Sequence, residues 1–354
     1  MAPIAYKAAL PREATIPSKR LLFKIFSFAL AGVLLWVAFD GVDWDQFNAA
    51  FQSMDYRLVI WAVLVQVATF LVRGARWAIL LAGRARFSFS TGFYGAMIGY
   101  CGNTFLPARA GEVIRTAVAA NRLNVPVGFV FGTVVVERLL DLCVVVTLGS
   151  IAALFAEGVP DWLRGAMGFA FMAGIGGLAC LLILARLQNA AFDWIETRLP
   201  ITARFLPRVR TIVAQFCEGG IGLRTIWMVP TFFAVSSLAW IGDAGMKVLL
   251  ADSFASQLSL AQGLVFAVAI ALSSGIPSTP GFVGVYQYVA VAVLVPLGLS
   301  QAQALAYIMV FQGITALHIT FWGIISWAMV SRDKKRTDEL APSLATVAGE
   351  SSAS

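Results

Sequence analysis

Asn103-Thr104-Phe105-Leu106-Pro107-Ala108-Arg109-Ala110-Gly111 and Ser273-Ser274-Gly275-Ile276-Pro277-Ser278-Thr279-Pro280-Gly281 follow one pattern. Each closes a short apolar segment with an aliphatic residue, a proline, three residues and a glycine, and a second short segment follows. Proline removes a backbone donor and glycine admits left-handed turns, so a helix breaks at such a place. The segments entering these turns, at 91–106 and 260–276, are short for crossing hydrocarbon, which takes about 20 apolar residues. Each pair of segments therefore reads as a re-entrant hairpin, with turn residues Pro107 and Gly111 in one and Pro277, Pro280 and Gly281 in the other.

Outward from the two turns, apolar runs at 21–39, 58–82, 127–156, 163–185, 225–250 and 302–329 are long enough to span. The plan is then helix, helix, hairpin, helix, given twice, in a first repeat at 21–156 and a second at 157–329. Three spanning helices per repeat is an odd number, so the repeats face opposite ways. The expected fold is an all-α polytopic membrane protein with about six spanning helices, two re-entrant hairpins and an inverted repeat. The competing plan lets the short segments cross as well, for eight spanning helices. Inverted repeats with broken helices near the midplane recur in transporters. Non-helical backbone must there be buried in protein or line a wet cavity.

Composition agrees with a membrane solvent. Apolar residues make up 59% of the 354 and charged ones 13%, against about 25% charged in a soluble domain, and mean hydropathy is +0.81. The net charge of +7 does not point to nucleic acid, because the basic residues lie in connections rather than in a soluble basic domain. Of 26 Lys and Arg, the topology above puts 22 on one side, Arg57 and Arg164 on the other, and Arg138 and Lys247 within helices. In this count Arg73, Arg76, Arg84 and Arg86 occupy a turn. The positive-inside rule then makes both termini cytoplasmic in a bacterial inner membrane. No small-residue cleavage site follows the first apolar run, so the arm 1–20 leads into an uncleaved helix.

The segment 186–224 carries Phe205, Val209, Ile212, Val213 and Phe216 at helical spacing among Arg204, Arg208 and Arg210. That pattern suits a helix in the cytoplasmic interface, acting as a lever, a cover or a lipid sensor. The tail 330–354 is small and polar at its end and is expected to be disordered. Cys101, Cys143, Cys180 and Cys217 lack metal or redox spacing and read as buried thiols.

Charges occur where hydrocarbon makes them unfavourable by roughly 2.5–3.5 kcal/mol each. Glu112 and Arg115 follow the first turn, and Glu137-Arg138…Asp141 sit between Val134-Val135-Val136 and Val144-Val145-Val146. Glu137 and Asp141 share a helix face, so a facing arginine such as Arg109 or Arg115 is expected, and Arg138 lies three residues from Asp141. One reading is a structural ion network. The other has Arg109, Arg115 or Arg138 attract a phosphate headgroup, with Glu112 and Asp141 releasing it or carrying a proton. Asp243 and Lys247, four apart, either pair with each other or face the same cavity. Gln287 and Gln312 read as helix–helix hydrogen-bond partners, and His318 as a packed neutral side chain. With one histidine there is no basis for a triad or a multi-imidazole zinc site, and no phosphate-loop or dinucleotide motif is present. No cofactor is expected.

The string Asn103…Leu106-Pro107-Ala108-Arg109…Gly111-Glu112…Arg115, with Glu137-Arg138…Asp141, resembles the first signature of the lysylphosphatidylglycerol synthase transmembrane-region family. Ile276-Pro277…Pro280-Gly281…Gly284 resembles its second, and the likeness runs over about 20–330. It implies a flippase-like integral membrane protein of bacteria or archaea, with Asn103, Arg109, Glu112, Arg115, Glu137, Arg138, Asp141, Asp243 and Lys247 as candidate substrate contacts. The soluble aminoacyl-transfer domain of the synthases has no counterpart in this sequence, so synthase activity is not expected. The chain also departs from the family where Gly284-Val285-Tyr286-Gln287 lacks a common acidic residue and Phe282 replaces a frequent glycine.

The functional expectation is therefore translocation of a phospholipid or a polyprenyl-, sugar- or hopanoid-linked lipid with an anionic or phosphate-bearing headgroup. The alternative is an accessory subunit holding an envelope-biosynthesis or other lipid-modifying enzyme at its substrate. A membrane enzyme is disfavoured by the lack of a nucleophile–base pair.

Overall fold

The computed structural model describes residues 19–106, 109–198, 206–220, 228–276 and 279–351. Pro107, Pro277 and nearly all of the arm 1–20 lie outside the described residues. Among those described there are twelve α-helices: α1 Lys19–Phe39, α2 Trp44–Gln52, α3 Tyr56–Leu81, α4 Phe89–Phe105, α5 Ala110–Leu123, α6 Val127–Ala152, α7 Asp161–Arg198, α8 Leu206–Gly220, α9 Met228–Asp252, α10 Leu260–Ser273, α11 Val285–Leu294 and α12 Gln301–Ser351. A 3-10 turn, Pro280–Phe282, lies between α10 and α11. Several helices start where a polar connection supplies a cap. The side chains of Asp43, Asp55, Ser88 and Ser259 accept from the first backbone N–H groups of α2, α3, α4 and α10.

Tyr56–Leu81, Asp161–Ile195, Pro230–Asp252 and Gln301–Asp333 are long and apolar enough to cross a membrane. Phe26–Phe39 and Trp44–Gln52, bent by 89°, make a fifth span if taken together. The chain is a polytopic, all-helical membrane protein. Of the six segments expected to span, four meet this measure outright. The fifth, α1, needs its bent partner, and the sixth, α6, is 26 residues long but interrupted by Glu137, Arg138 and Asp141. The connection 40–57 also holds more than sequence indicated, because Trp44, Phe47 and Phe51 form the stacked aromatic face of α2.

Helices α3 and α9 lie antiparallel. The Asp55 N–H donates to the Ser253 carbonyl (2.9 Å), Thr69 abuts Gly242 midway, and the Arg76 guanidinium lies 5.6 Å over the Phe232 ring near the far end. Around this pair, α12 packs on α4 as α10 packs on α6, and α12 on α2 as α8 on α6. The connections sort to two ends. At one, Gln301 donates to the Ala38 and Asp40 carbonyls (2.9 Å each) and Gly158 approaches Pro296. At the other, Arg84 meets Glu218 (2.5 Å) and Arg122 meets Asp333 (2.7 Å). The first end carries Asp40, Asp43, Asp45 and Asp55, and the second carries most of the arginines outside the helix cores.

The segment 186–224 divides. Its start continues α7, a 38-residue helix, and its later part is α8. Gly219 and Gly132 let α8 and α6 touch backbone to backbone, since a Cβ on Gly219 would lie 2.1 Å from the Phe129 oxygen and one on Gly132 2.2 Å from the Phe216 oxygen. This helix is thus clamped to α6 rather than only resting in an interface. The segment expected as a disordered tail is helical over its described residues to Ser351. A helix already nucleated by the span before it propagates at little further entropic penalty. All four cysteines are free, with Cys143 and Cys217 buried but Cys180 exposed on α7.

Replacing Gly219 by leucine should drive α8 off α6. Overpacking of this kind destabilises by about 1–3 kcal/mol, readable as a lower thermal midpoint of the detergent-solubilised protein, with Gly165→Leu, which faces open space, as the neutral control.

Candidate functional site

The short helices α4 and α5 enter from the basic end, whereas α10 and α11 enter from the acidic end. Their turns meet inside the bundle, where the Arg109 Nη2 donates to the carbonyl of Ser274 (2.8 Å) and lies 3.1 Å from its hydroxyl. Arg109 has left-handed backbone (φ 53°) and precedes α5, which has no side-chain cap. The free N–H groups of that helix start and the guanidinium therefore present positive charge at one point.

Glutamines shape the opposite turn. Gln287 donates through Nε2 to Gln312 Oε1 (2.6 Å) and accepts from the Gly284 N–H (2.8 Å), and Gln312 donates to the Gly281 carbonyl (3.0 Å). The expected helix–helix pairing of these two residues is present and also fixes the turn. Gly281 (φ 74°) and Gly284 (φ 88°) need the left-handed region, and Phe282 is held there too (φ 59°). Its ring stacks on Tyr286 (4.9 Å). A position of that backbone shape favours glycine, which gives a physical reason for the glycine frequent there in the resembled family.

Six ionised side chains form an alternating chain through α3, α5 and α6. Asp141 pairs with Arg76, whose Nη2 reaches Glu137 (2.8 Å). Glu137 meets Arg115 (3.0 Å), Arg115 meets Glu112 (2.7 Å), and Glu112 meets Arg138 (3.2 Å). The indole N–H of Trp240 donates to Asp141 (2.7 Å), and the Asn103 amide donates to Glu112 (3.2 Å). Sequence spacing did not identify the central cation. Arg76, placed in a turn by its position near the end of an apolar run, is 1% exposed inside α3. Its spacing of three from Arg73 was the available signal, since both then share one helix face. Arg115 takes the expected role toward Glu137, but Arg109 does not, and Arg138 pairs with Glu112 rather than Asp141.

Beside this chain lies a cavity of about 690 Å³ lined from both repeats. Arg73, Arg109, Arg138 and Lys247 line it as cations, and Glu112, Asp141 and Asp243 as anions. Asn103 lines it as well. Arg115 and Glu137, each 1% exposed, stand behind the wall and do not reach it. Asp243 pairs with Lys247 (2.5 Å) and with Arg73 (3.4 Å), so the two expectations for Asp243 and Lys247 hold together. Arg73 lies 4.9 Å over Trp240, and Lys247 4.8 Å over Phe311. Arg109 has no carboxylate partner among the described residues. His318 is buried against Phe70 (4.7 Å between ring centroids) and stands apart from the lining.

A wall of Ala166, Phe169, Ala170 and Ala173 on α7 closes one side. Whereas α1 packs on α11, the corresponding helix α7 packs on α6 and α8 rather than on α5. Phe169, 78% exposed, borders the cavity at this edge. The site combines a cationic polar floor with an apolar flank, which is the layout that receives an amphiphile with an anionic head.

A family model described as "Lysylphosphatidylglycerol synthase TM region" matches residues 24–323. The glycosyltransferase AglD of Haloferax volcanii is 27% identical over 352 aligned residues, 86% of this chain and 53% of that protein, so the chain spans about half its length. The UPF0104 membrane protein PH1989 of Pyrococcus horikoshii is 22% identical over 329 residues, covering 86% of this chain and 93% of that protein. UPF0104 membrane protein MJ1078 of Methanocaldococcus jannaschii is 22% identical over 233 residues, 65% and 94% respectively. No solved structure matches.

Arg76→Ala leaves Glu137 and Asp141 buried without their shared cation. Breaking a buried pair this way destabilises by about 3–5 kcal/mol. The variant should lose its thermal transition or fail to accumulate, and adding Glu137→Gln and Asp141→Asn to it should restore accumulation, as measured by size-exclusion chromatography of the solubilised protein.

Proposed function

We propose that this chain, which belongs to the Lysylphosphatidylglycerol synthase TM region family, translocates a lipid bearing an anionic or phosphate headgroup across its membrane. The observation that carries the reading is Arg109. It is a cation without a carboxylate partner among the described residues, set where two hairpins meet, in a cavity lined from both halves. A guanidinium so placed can exchange its bond to the Ser274 carbonyl for a bidentate bond to a phosphate.

The inverted-repeat plan supports this reading. At 1.5 Å per residue, α10 and α11, of 14 and 10 residues, are too short to cross about 30 Å of hydrocarbon. They enter from one end as α4 and α5 enter from the other, and the corresponding helices α3 and α9 run antiparallel. In this arrangement α1, α3, α6, α7, α9 and α12 span, and both hairpins are re-entrant. The basic end faces the cytoplasm by the positive-inside rule, even after the interior arginines Arg73, Arg76, Arg109 and Arg115 are removed from the count. Membrane-impermeant labelling of single cysteines at positions 86 and 158, in a background without the native cysteines, should then mark opposite faces.

A second reading rests on the AglD match. A region like this one accounts for half of a protein named as a glycosyltransferase, which favours a membrane part that holds a lipid for an enzyme acting on it. Reconstitution separates the two. Purified protein alone in liposomes should accelerate transbilayer movement of a headgroup-labelled phospholipid, and Arg109→Ala should reduce the rate about tenfold or more, equivalent to about 1.4 kcal/mol. Lipid binding without any movement would favour the enzyme-assisting role.

A further inference from the structure

The cavity walls differ in chemistry. The wall built by α3, α5 and α6 holds the ion chain, whereas the facing wall is neutral and hydrogen-bonding, with Gln66, Thr315, Gln312 and Tyr286. Gln66 is 4% exposed, and its Nε2 donates to Thr315 Oγ1 (2.9 Å), but its Oε1 is buried without a partner. Asn103 repeats this arrangement across the cavity, with Nδ2 on Glu112 and Oδ1 buried and unpartnered. A buried amide left half-paired carries a desolvation penalty of about 1–3 kcal/mol.

The geometry points to a headgroup that adds neutral hydroxyls to its phosphate, such as a glycerol or a sugar, with the hydroxyls pairing Gln66 and Asn103 while Arg109 takes the phosphate. This rests on the anionic-lipid reading above and narrows it. A hydroxyl both donates and accepts, so it satisfies either end of an amide. A phosphate oxygen only accepts and leaves a carbonyl oxygen unpaired. An ammonium headgroup has donors, but it meets an unfavourable field. The ion chain is neutral by itself, so Arg73, Lys247 and Arg109 against Asp243 leave the cluster cationic. The carboxylate that would attract an amine is already shared by two cations. The cavity volume of about 690 Å³ accommodates a headgroup of this size together with the start of its chains.

The test uses the full chain in detergent and short-chain lipids followed by titration calorimetry. Phosphatidylglycerol and phosphatidylmethanol carry the same single phosphodiester charge and differ in the glycerol hydroxyls. Phosphatidylinositol and phosphatidylethanolamine extend the series. The expected order is phosphatidylinositol and phosphatidylglycerol about tenfold tighter than phosphatidylmethanol, with phosphatidylethanolamine weakest. Gln66→Met should bring phosphatidylglycerol down to the level of phosphatidylmethanol and leave phosphatidylmethanol unchanged. Arg109→Ala should weaken every anionic lipid alike. Should Gln66→Met not fold, as judged by its thermal transition, Asn103→Ala carries the same comparison.

Equal binding of phosphatidylglycerol and phosphatidylmethanol by the wild type overturns the proposal, as does preferred binding of phosphatidylethanolamine. A Gln66→Met variant that loses both lipids equally overturns it as well. Absence of binding by every phosphate lipid removes the anionic-lipid reading and this inference together. A hydroxyl preference that persists without transbilayer movement supports the inference and removes only translocation.

Discussion

A charged group inside a membrane protein persists only if another charge answers it, and Arg76 is where that requirement is met. Its guanidinium joins Asp141 and Glu137 at the centre of α6, the one helix of spanning length here that three ionisable residues interrupt. Each of those residues facing lipid would be unfavourable by roughly 2.5–3.5 kcal/mol. Paired, they hold α3, α5 and α6 in one register. The alternating order of the chain means that no member can move without leaving a neighbour's charge unanswered. The close packing of Trp77 follows from the same constraint. It is fully buried, with its N–H on Thr133 (3.3 Å) and Arg115 at 4.7 Å over its ring.

Rigid charge on one side of the cavity is complemented by a less constrained point on the other. Arg109 bonds to a neutral carbonyl and hydroxyl on the second hairpin rather than to a carboxylate. A bond of that kind exchanges for a phosphate more readily than an ion pair does, because no buried anion is left behind. The hairpins are individually too short to cross, so their turns are held by protein groups. Gln287 and Gln312 bind the backbone at Gly284 and Gly281, as broken helices at membrane depth require. The neutral counterpart wall built by these glutamines, Gln66 and Thr315 makes the two repeats unequal in chemistry although they are alike in plan.

The sequence by itself determined the membrane class, the two proline–glycine turns and the twofold plan, because these rest on composition, on run length and on residues that cannot continue a helix. It also brought out Glu112, Arg138, Asp141, Asp243 and Lys247, since charge within an apolar run is visible without coordinates. The partners of those charges were decided only by tertiary structure. Arg76 lies near the end of an apolar run, where a turn and a buried helix read alike, and its contacts with Asp141 and Glu137 cross more than sixty positions. The same is true of Gln66 meeting Thr315, of Arg109 meeting Ser274 and of α8 seated against α6 through facing glycines. Pattern along the chain reports what one helix can tolerate, whereas the choice among several arginines for two carboxylates is made by which helices pack.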